Sequence, residues 1–411
     1  MVNQLDVQRF PGQNQLFSYR DVFRAGSWIA ARMVVADQNC WAVTETRMLD
    51  TPEAKAIFKS CRRFLMHDYP KTPRQILTEL AETVDPDLEA DRYGQGELIA
   101  RFEQEVAELL GKEAAVFMPS GTMCQQIALR IWTERRGIAN VAFHPTCHLE
   151  MHEAKAYQRL HGLHGILVGG ADRLLTLADL KAVAEPIGAL LIELPQRELG
   201  GQLPGWEELS EIITWARERG IPTHLDGARL WECQPFYQRE YAEIAQLFDT
   251  VYVSFYKILG GIAGSILAGP ADVIAESRTW QRRHGGNLIH LYPYVLSAQQ
   301  RLKERLGRME LYHAKAKEIA ALLEPFPEIT VLPNPPHTNM MHLFLRGEQA
   351  RLEAGALEVA RETGTWLFSR LAPTILPDLT RLELTVGEAT LDISSQEITT
   401  LFQMLLTQAR T

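Results

Sequence analysis

No stretch of this chain approaches the ~20 consecutive apolar residues that span a bilayer. Residues 1–14 are polar and lack the apolar core of a secretion signal. Basic blocks are missing too. Arg135-Arg136 and Arg282-Arg283 are only pairs in a chain of formal net charge −9, which gives no general pull toward nucleic acid. Cysteine is scarce and unpatterned: Cys40, Cys61, Cys124, Cys147 and Cys233 form no CxxC and no metal-finger spacing. Free thiols in a reducing compartment are therefore expected, and a metal centre is not. There is no internal repeat and no low-complexity run. These exclusions leave the expectation of a soluble, cytoplasmic protein whose partner is a small molecule, neither nucleic acid nor membrane.

With 411 residues the chain exceeds one small core, which predicts two domains and an extra arm. The arm is residues 1–90, with helices expected at 18–35 and, after a Tyr-Pro-Lys-Thr-Pro turn, at 74–82. Leu98, Phe102, Val106 and Leu109 then recur at helical spacing up to Gly111. Short apolar runs follow at 114–118, 141–143, 165–168, 189–194, 222–225, 250–255 and 265–268, alternating with helical stretches such as 207–219. That alternation predicts an α/β fold with a mostly parallel, seven-stranded sheet and crossover helices, over residues 91–290. A helical stretch at 296–323, strands at 329–332 and 340–345, a helix at 350–371, a strand at 381–386 and a last helix from Ser395 predict a smaller C-terminal α+β domain, 291–411.

Three segments carry chemistry. Met118-Pro-Ser-Gly-Thr-Met123 joins a strand to a helix, and a small-residue turn at a helix start presents free N–H groups that suit a phosphate. Ser120, Gly121 and Thr122 are the candidates there, although plain N-capping explains the same residues. His224-Leu-Asp-Gly-Ala-Arg229 places Asp226 at the carboxyl end of a strand, where ligands of open α/β sheets bind. A buried carboxylate needs a cationic partner, either Arg229 or a protonated ring nitrogen. Val251-Tyr-Val-Ser-Phe-Tyr-Lys257 runs strand alternation into a lysine before Gly260-Gly261. Lysine is rarely buried without a reason. Phosphate loop, aspartate and lysine, in that order, are the parts that hold pyridoxal 5'-phosphate: Lys257 as Schiff-base nitrogen, Asp226 keeping the ring nitrogen protonated.

Around these segments the sequence resembles the threonine aldolase and β-eliminating lyase family of the aspartate aminotransferase-like fold (fold type I). The resemblance runs from about Asp91 to the C-terminus and includes Asp91-Arg-Tyr-Gly, Pro119-Ser-Gly-Thr-Met, Glu193-Leu-Pro-Gln-Arg-Glu-Leu-Gly-Gly201 and His224-Leu-Asp-Gly-Ala-Arg-Leu230. It implies that His148, five residues before Glu153, stacks on the cofactor ring, and that Arg229 and Arg381 grip the substrate α-carboxylate. Ser254, three residues before Lys257, resembles the phosphate-binding serine of aminotransferases. Gln196 stands at the place of the family histidine that meets the substrate β-hydroxyl, and Ile289 at that of a family arginine. The family's Asp-x-Arg-Ser-Asp-Thr opening, with its substrate-binding serine, is replaced by the arm.

The implied reaction is cleavage of a β-hydroxy-α-amino acid to glycine and an aldehyde. With glutamine at 196, the hydroxyl base falls to His148, Glu153 or a water. β-Elimination or another Cα–H reaction on an amino acid is the alternative, followed by transamination and by a non-catalytic cofactor-binding protein. The resemblance further implies a homodimer or homotetramer.

Overall fold

The computed structural model describes residues 48–410, so the helix expected at 18–35 and Cys40 lie outside the described residues. A seven-stranded sheet forms the larger part. Its spatial order is Ala114–Met118, Ser265–Gly269, Thr250–Ser254, Thr223–Gly227, Ala189–Glu193, Asn140–Phe143 and His164–Leu167. Only Ser265–Gly269 runs against its neighbours. All five residues of Thr250–Ser254 are buried, as are all five of Ala189–Glu193. Burial of both strand faces requires a continuous apolar run rather than strict alternation, and covering helices on both sides. Helix Trp206–Glu218 supplies one such cover, burying Leu209, Ile212, Ile213 and Ala216.

The smaller part is an antiparallel sheet ordered Ala372–Pro373, Leu379–Thr385, Met340–Arg346 and Ile329–Leu332, backed by helices Gln349–Thr363 and Ser395–Gln408. Leu379–Thr385 alternates strictly: Thr380, Leu382 and Leu384 are buried, while Arg381, Glu383 and Thr385 stand on the other face. The mostly parallel seven-stranded sheet and the smaller antiparallel domain are the α/β architecture that the run pattern predicts. Cys61, Cys124, Cys147 and Cys233 are buried free thiols. Among the described residues no helix is long and apolar enough to cross a membrane, and no three metal-ligating side chains cluster.

Three expectations change. The helix expected at 350–371 stops at Thr363, because Gly364 turns left-handed (φ 66°) and Thr365–Trp366 leaves as a strand. The stretch 296–323 is two helices, Tyr292–Arg305 and Met309–Leu323, parted by a 3₁₀ turn that holds the poor helix former Gly307. The segment before residue 91 is not an appendage over its described length. Arg63–Phe64 pairs in parallel with Thr365–Trp366, and Leu65 N–H donates to the Trp366 carbonyl at 2.8 Å. Phe58 packs edge-on against both Phe64 (5.3 Å) and Trp366 (5.1 Å), so this segment completes the smaller domain's core.

Candidate active site

Beyond the carboxyl ends of the parallel strands, loops from several strands meet, as the topology of open α/β sheets dictates. Strand Thr250–Ser254 delivers Phe255, which is anchored against Phe102 (5.1 Å) and Phe117. The chain then turns sharply: Gly261 N–H donates to Phe255 O (2.7 Å), Gly260 N–H donates to Lys257 O (3.0 Å), and Gly260 adopts φ 76°. This turn holds Lys257 at the wall of a cavity of about 370 Å³. Burial, aided by the cations Arg229 and Arg197, brings the Lys257 amine down to about 8 against the pull of Asp226 and Glu232. A neutral amine, the form that attacks a carbonyl, is therefore accessible near neutral pH.

Asp226 closes its strand at 1% exposure. Oδ1 accepts the Ala228 N–H at 3.1 Å, whereas Oδ2 is sealed from solvent without a partner among the described residues. Arg229 is thus not its counter-ion, and the purely structural pairing falls away. Burial raises the Asp226 carboxyl, with His148 and the Ala228 amide opposing. A sealed, unpartnered carboxylate oxygen is costly. The N–H of a protonated pyridine ring is the kind of donor that satisfies it, so the residues present fit pyridoxal phosphate.

His148 begins a short helix, its own N–H donating to Glu193 Oε2 (2.8 Å) and its Nδ1 lying 3.0 Å from Glu153 Oε1. Burial opposes protonation of its ring, but the Glu153 bond and the charges of Asp226, Glu153 and Glu193 raise it overall. Glu193, missed in the sequence as a charged group, is buried, and burial together with Asp226 pushes it up to about 7. Glu153 also accepts from Gln125 (3.0 Å) and Gln126 (3.1 Å), so it is held in place to position His148. Gln196 is buried and donates to Thr146 Oγ1 at 3.3 Å.

At the head of helix Gly121–Arg136, Ser120 Oγ caps the Met123 N–H at 3.4 Å and Thr122 is half-buried. A Cβ on Gly121 would lie 1.8 Å from the Tyr252 hydroxyl, so only glycine fits. The Tyr252 hydroxyl that Gly121 approaches lies 3.2 Å from that of Tyr256, which ties the helix start to the neighbour of Lys257. Ser254 departs from the spacing argument: its hydroxyl donates to Ala228 O at 2.7 Å inside the core, leaving no proton for a phosphate oxygen.

Across the cavity the smaller sheet presents Arg381 and Glu383. Glu383 accepts a hydrogen bond from Arg197 Nη2 (3.1 Å) and forms an ion pair with its Nε at 2.9 Å, and Arg381 Nη1 reaches Glu198 Oε2 at 3.3 Å. Although burial pushes the other way, His342 and the charges of Arg197 and Arg229 hold Glu383 well below the usual carboxylate range. Among the described residues no carboxylate pairs with Arg229, which also lines the cavity. The Arg197–Glu383 pair and His67, another lining residue, were not singled out from the sequence. Arg381 and Glu383 share a strand face by alternation, which is the signal that could have found the second from the first.

The beta-eliminating lyase family profile matches residues 81–347. The chain is 27% identical to low-specificity L-threonine aldolase 1 of Arabidopsis thaliana, over 69% of this chain and 82% of that protein. It is 32% identical to aldolase vrtJ of Penicillium aethiopicum, over 66% of this chain and 70% of that one. A solved structure from Listeria monocytogenes, a candidate L-allo-threonine aldolase, superposes with a TM-score of 0.83 at 43% identity, covering 86% of this chain and 98% of the other.

Proposed function

The chain belongs to the beta-eliminating lyase family, and we propose from that premise that it is a pyridoxal-phosphate lyase cleaving β-hydroxy-α-amino acids to glycine and an aldehyde. The observation that carries the reading is the sealed Oδ2 of Asp226, partnerless among the described residues and in electrostatic reach of the Lys257 amine. Bound there, pyridoxal phosphate supplies an electron sink for a bond broken at Cα. Lys257 would hold the cofactor carbonyl, Asp226 its ring nitrogen, and Ser120, Gly121 and Thr122 its phosphate, with His148 against the ring. Cleavage requires the Cα–Cβ bond to stand perpendicular to that ring, and fixing the α-carboxylate sets this orientation.

Arg229 and Arg381 are the carboxylate donors. Their geometry separates them: Arg381 already shares its charge with Glu198, whereas Arg229 has no ion-pair partner among the described residues. Arg229→Lys, which keeps charge but loses the planar fork, is expected to raise KM for amino acids about 10-fold or more, the worth of one charge-assisted bond. Arg381→Lys should have the smaller effect. Initial-rate kinetics on both variants check the order, and unchanged KM in both would exclude the clamp.

The reaction itself is tested by a panel of amino acids, assayed separately for glycine plus aldehyde, pyruvate plus ammonia, and keto acid. Glycine and aldehyde in equal amounts are expected. Pyruvate and ammonia would establish β-elimination instead, and a keto acid would establish transamination. A homodimer or homotetramer in the cytoplasm completes the reading. It is supported by the exposed apolar side chains of Tyr93, Leu288 and Ile289, which gather where Tyr93 N–H meets Ile289 O at 2.9 Å.

A further inference from the structure

His67 lines the cavity that also holds Lys257 and Arg229, and it is the only histidine among the described lining residues. Its backbone is fixed on every side. Leu65 N–H donates to Trp366 O (2.8 Å), and Met66 O accepts Thr390 Oγ1 (2.7 Å). Gly387 lies so close that a Cβ there would stand 2.2 Å from His67 O and 2.8 Å from its Cα. Asp68 takes a two-point bond from Arg305 (2.8 and 2.6 Å), and Arg305 also donates to Ile258 O (3.2 Å), the residue after Lys257. The loop that carries the lysine and the segment that carries His67 are thereby held in fixed relation. The imidazole itself makes no hydrogen bond within the described residues.

A rigidly placed, uncommitted imidazole at a substrate cavity is equipped for proton transfer. The other groups in reach are less suited. Glu383 is held by Arg197, and Glu198 by Arg381 and His152. His148 and Glu153 are bound to each other at 3.0 Å, and the amide of Gln196 takes no proton. Glu232 borders the cavity, but it is buried and its Oε2 is sealed from solvent, so a substrate hydroxyl does not reach that oxygen. Around His67 itself, burial and the cations Arg305 and Arg229 lower the ring below its ordinary value, with Asp68 and Glu383 opposing. The neutral ring that results accepts a proton.

Resting on the aldol-cleavage reading above, we propose that His67 is the catalytic base that takes the proton of the substrate β-hydroxyl. The O–H bond breaks and an N–H bond forms on the imidazole. The oxygen pair becomes the second bond of the aldehyde carbonyl as Cα–Cβ breaks, and the pair of that bond stays with Cα. A proton returned to Cα completes glycine, so the balance needs no further reactant.

The test uses His67→Asn in the full-length, cofactor-loaded protein, because an amide keeps polarity but takes no proton. Cleavage of threonine should fall ~10²-fold or more, while glycine, which has no β-hydroxyl, should bind by calorimetry within about twofold of wild type. In cofactor-free protein, the histidine ring signal that His67→Asn removes from the NMR spectrum should titrate below 6.5. Cleavage by the variant within about threefold of wild type, an equal loss of glycine binding, or a ring that stays protonated above neutrality overturns the assignment of His67 alone. Absence of aldehyde from the wild-type protein overturns the aldol reading and this assignment with it.

Discussion

Lys257→Ala is expected to abolish turnover, by at least ~10³-fold, and to remove the near-visible absorption of the cofactor-loaded protein. The expectation rests on position and on charge. The residue is carried to the cavity wall by a fully buried strand and held by a glycine turn. Its amine is lowered to about 8 by burial and by Arg229 and Arg197. The sign follows directly: a lowered amine has more of the neutral, nucleophilic form at a given pH, and that form is lost as pH falls below about 8. Cofactor capture by wild-type protein should therefore slow on acidification. Absorption spectra and initial rates of wild type and variant decide the matter.

Asp226→Asn carries the second large effect. The cofactor should remain bound, since its phosphate and Schiff-base contacts do not involve this residue. Turnover should drop ~10²-fold or more, the usual cost of removing one preorganised electrostatic contact. An amide cannot keep a ring nitrogen protonated, and the charge shed at Cα then has nowhere to go. Because Oδ2 has no partner to lose among the described residues, the variant should melt close to wild type. Comparison of turnover with thermal unfolding separates the two roles. Near wild-type rates would show that Asp226 serves the fold rather than the chemistry.

Much of this was legible in the sequence because the large domain obeys local rules. Apart from the half-exposed edge strand His164–Leu167, the strands from 114 to 269 are largely buried runs bounded by turns, and Asp226 and Lys257 sit where two of those runs end. What escaped depends on contacts between distant residues. His67 stands in a segment without periodicity, and only the pairing of Arg63–Phe64 with Thr365–Trp366 brings it to the cavity. Ser254 has the right spacing but the wrong neighbour, the Ala228 carbonyl. Glu153 and Gln196 lie near the cofactor segments in sequence, yet Gln125, Gln126 and Thr146 absorb their polar atoms. Spacing locates a residue along a strand, and the partners that claim its hydrogen bonds come from elsewhere in the chain.

Borohydride reduction of the cofactor-loaded protein, followed by peptide mapping, tests the central claim most directly, because it fixes the cofactor to whichever amine holds it. One label per chain on the peptide containing Lys257 is predicted. Lys112 is an internal control: burial brings it too to about 8, but its Nζ is bound to the Phe248 carbonyl and it does not line the cavity. A label on Lys112, or on any lysine other than Lys257, would contradict the account.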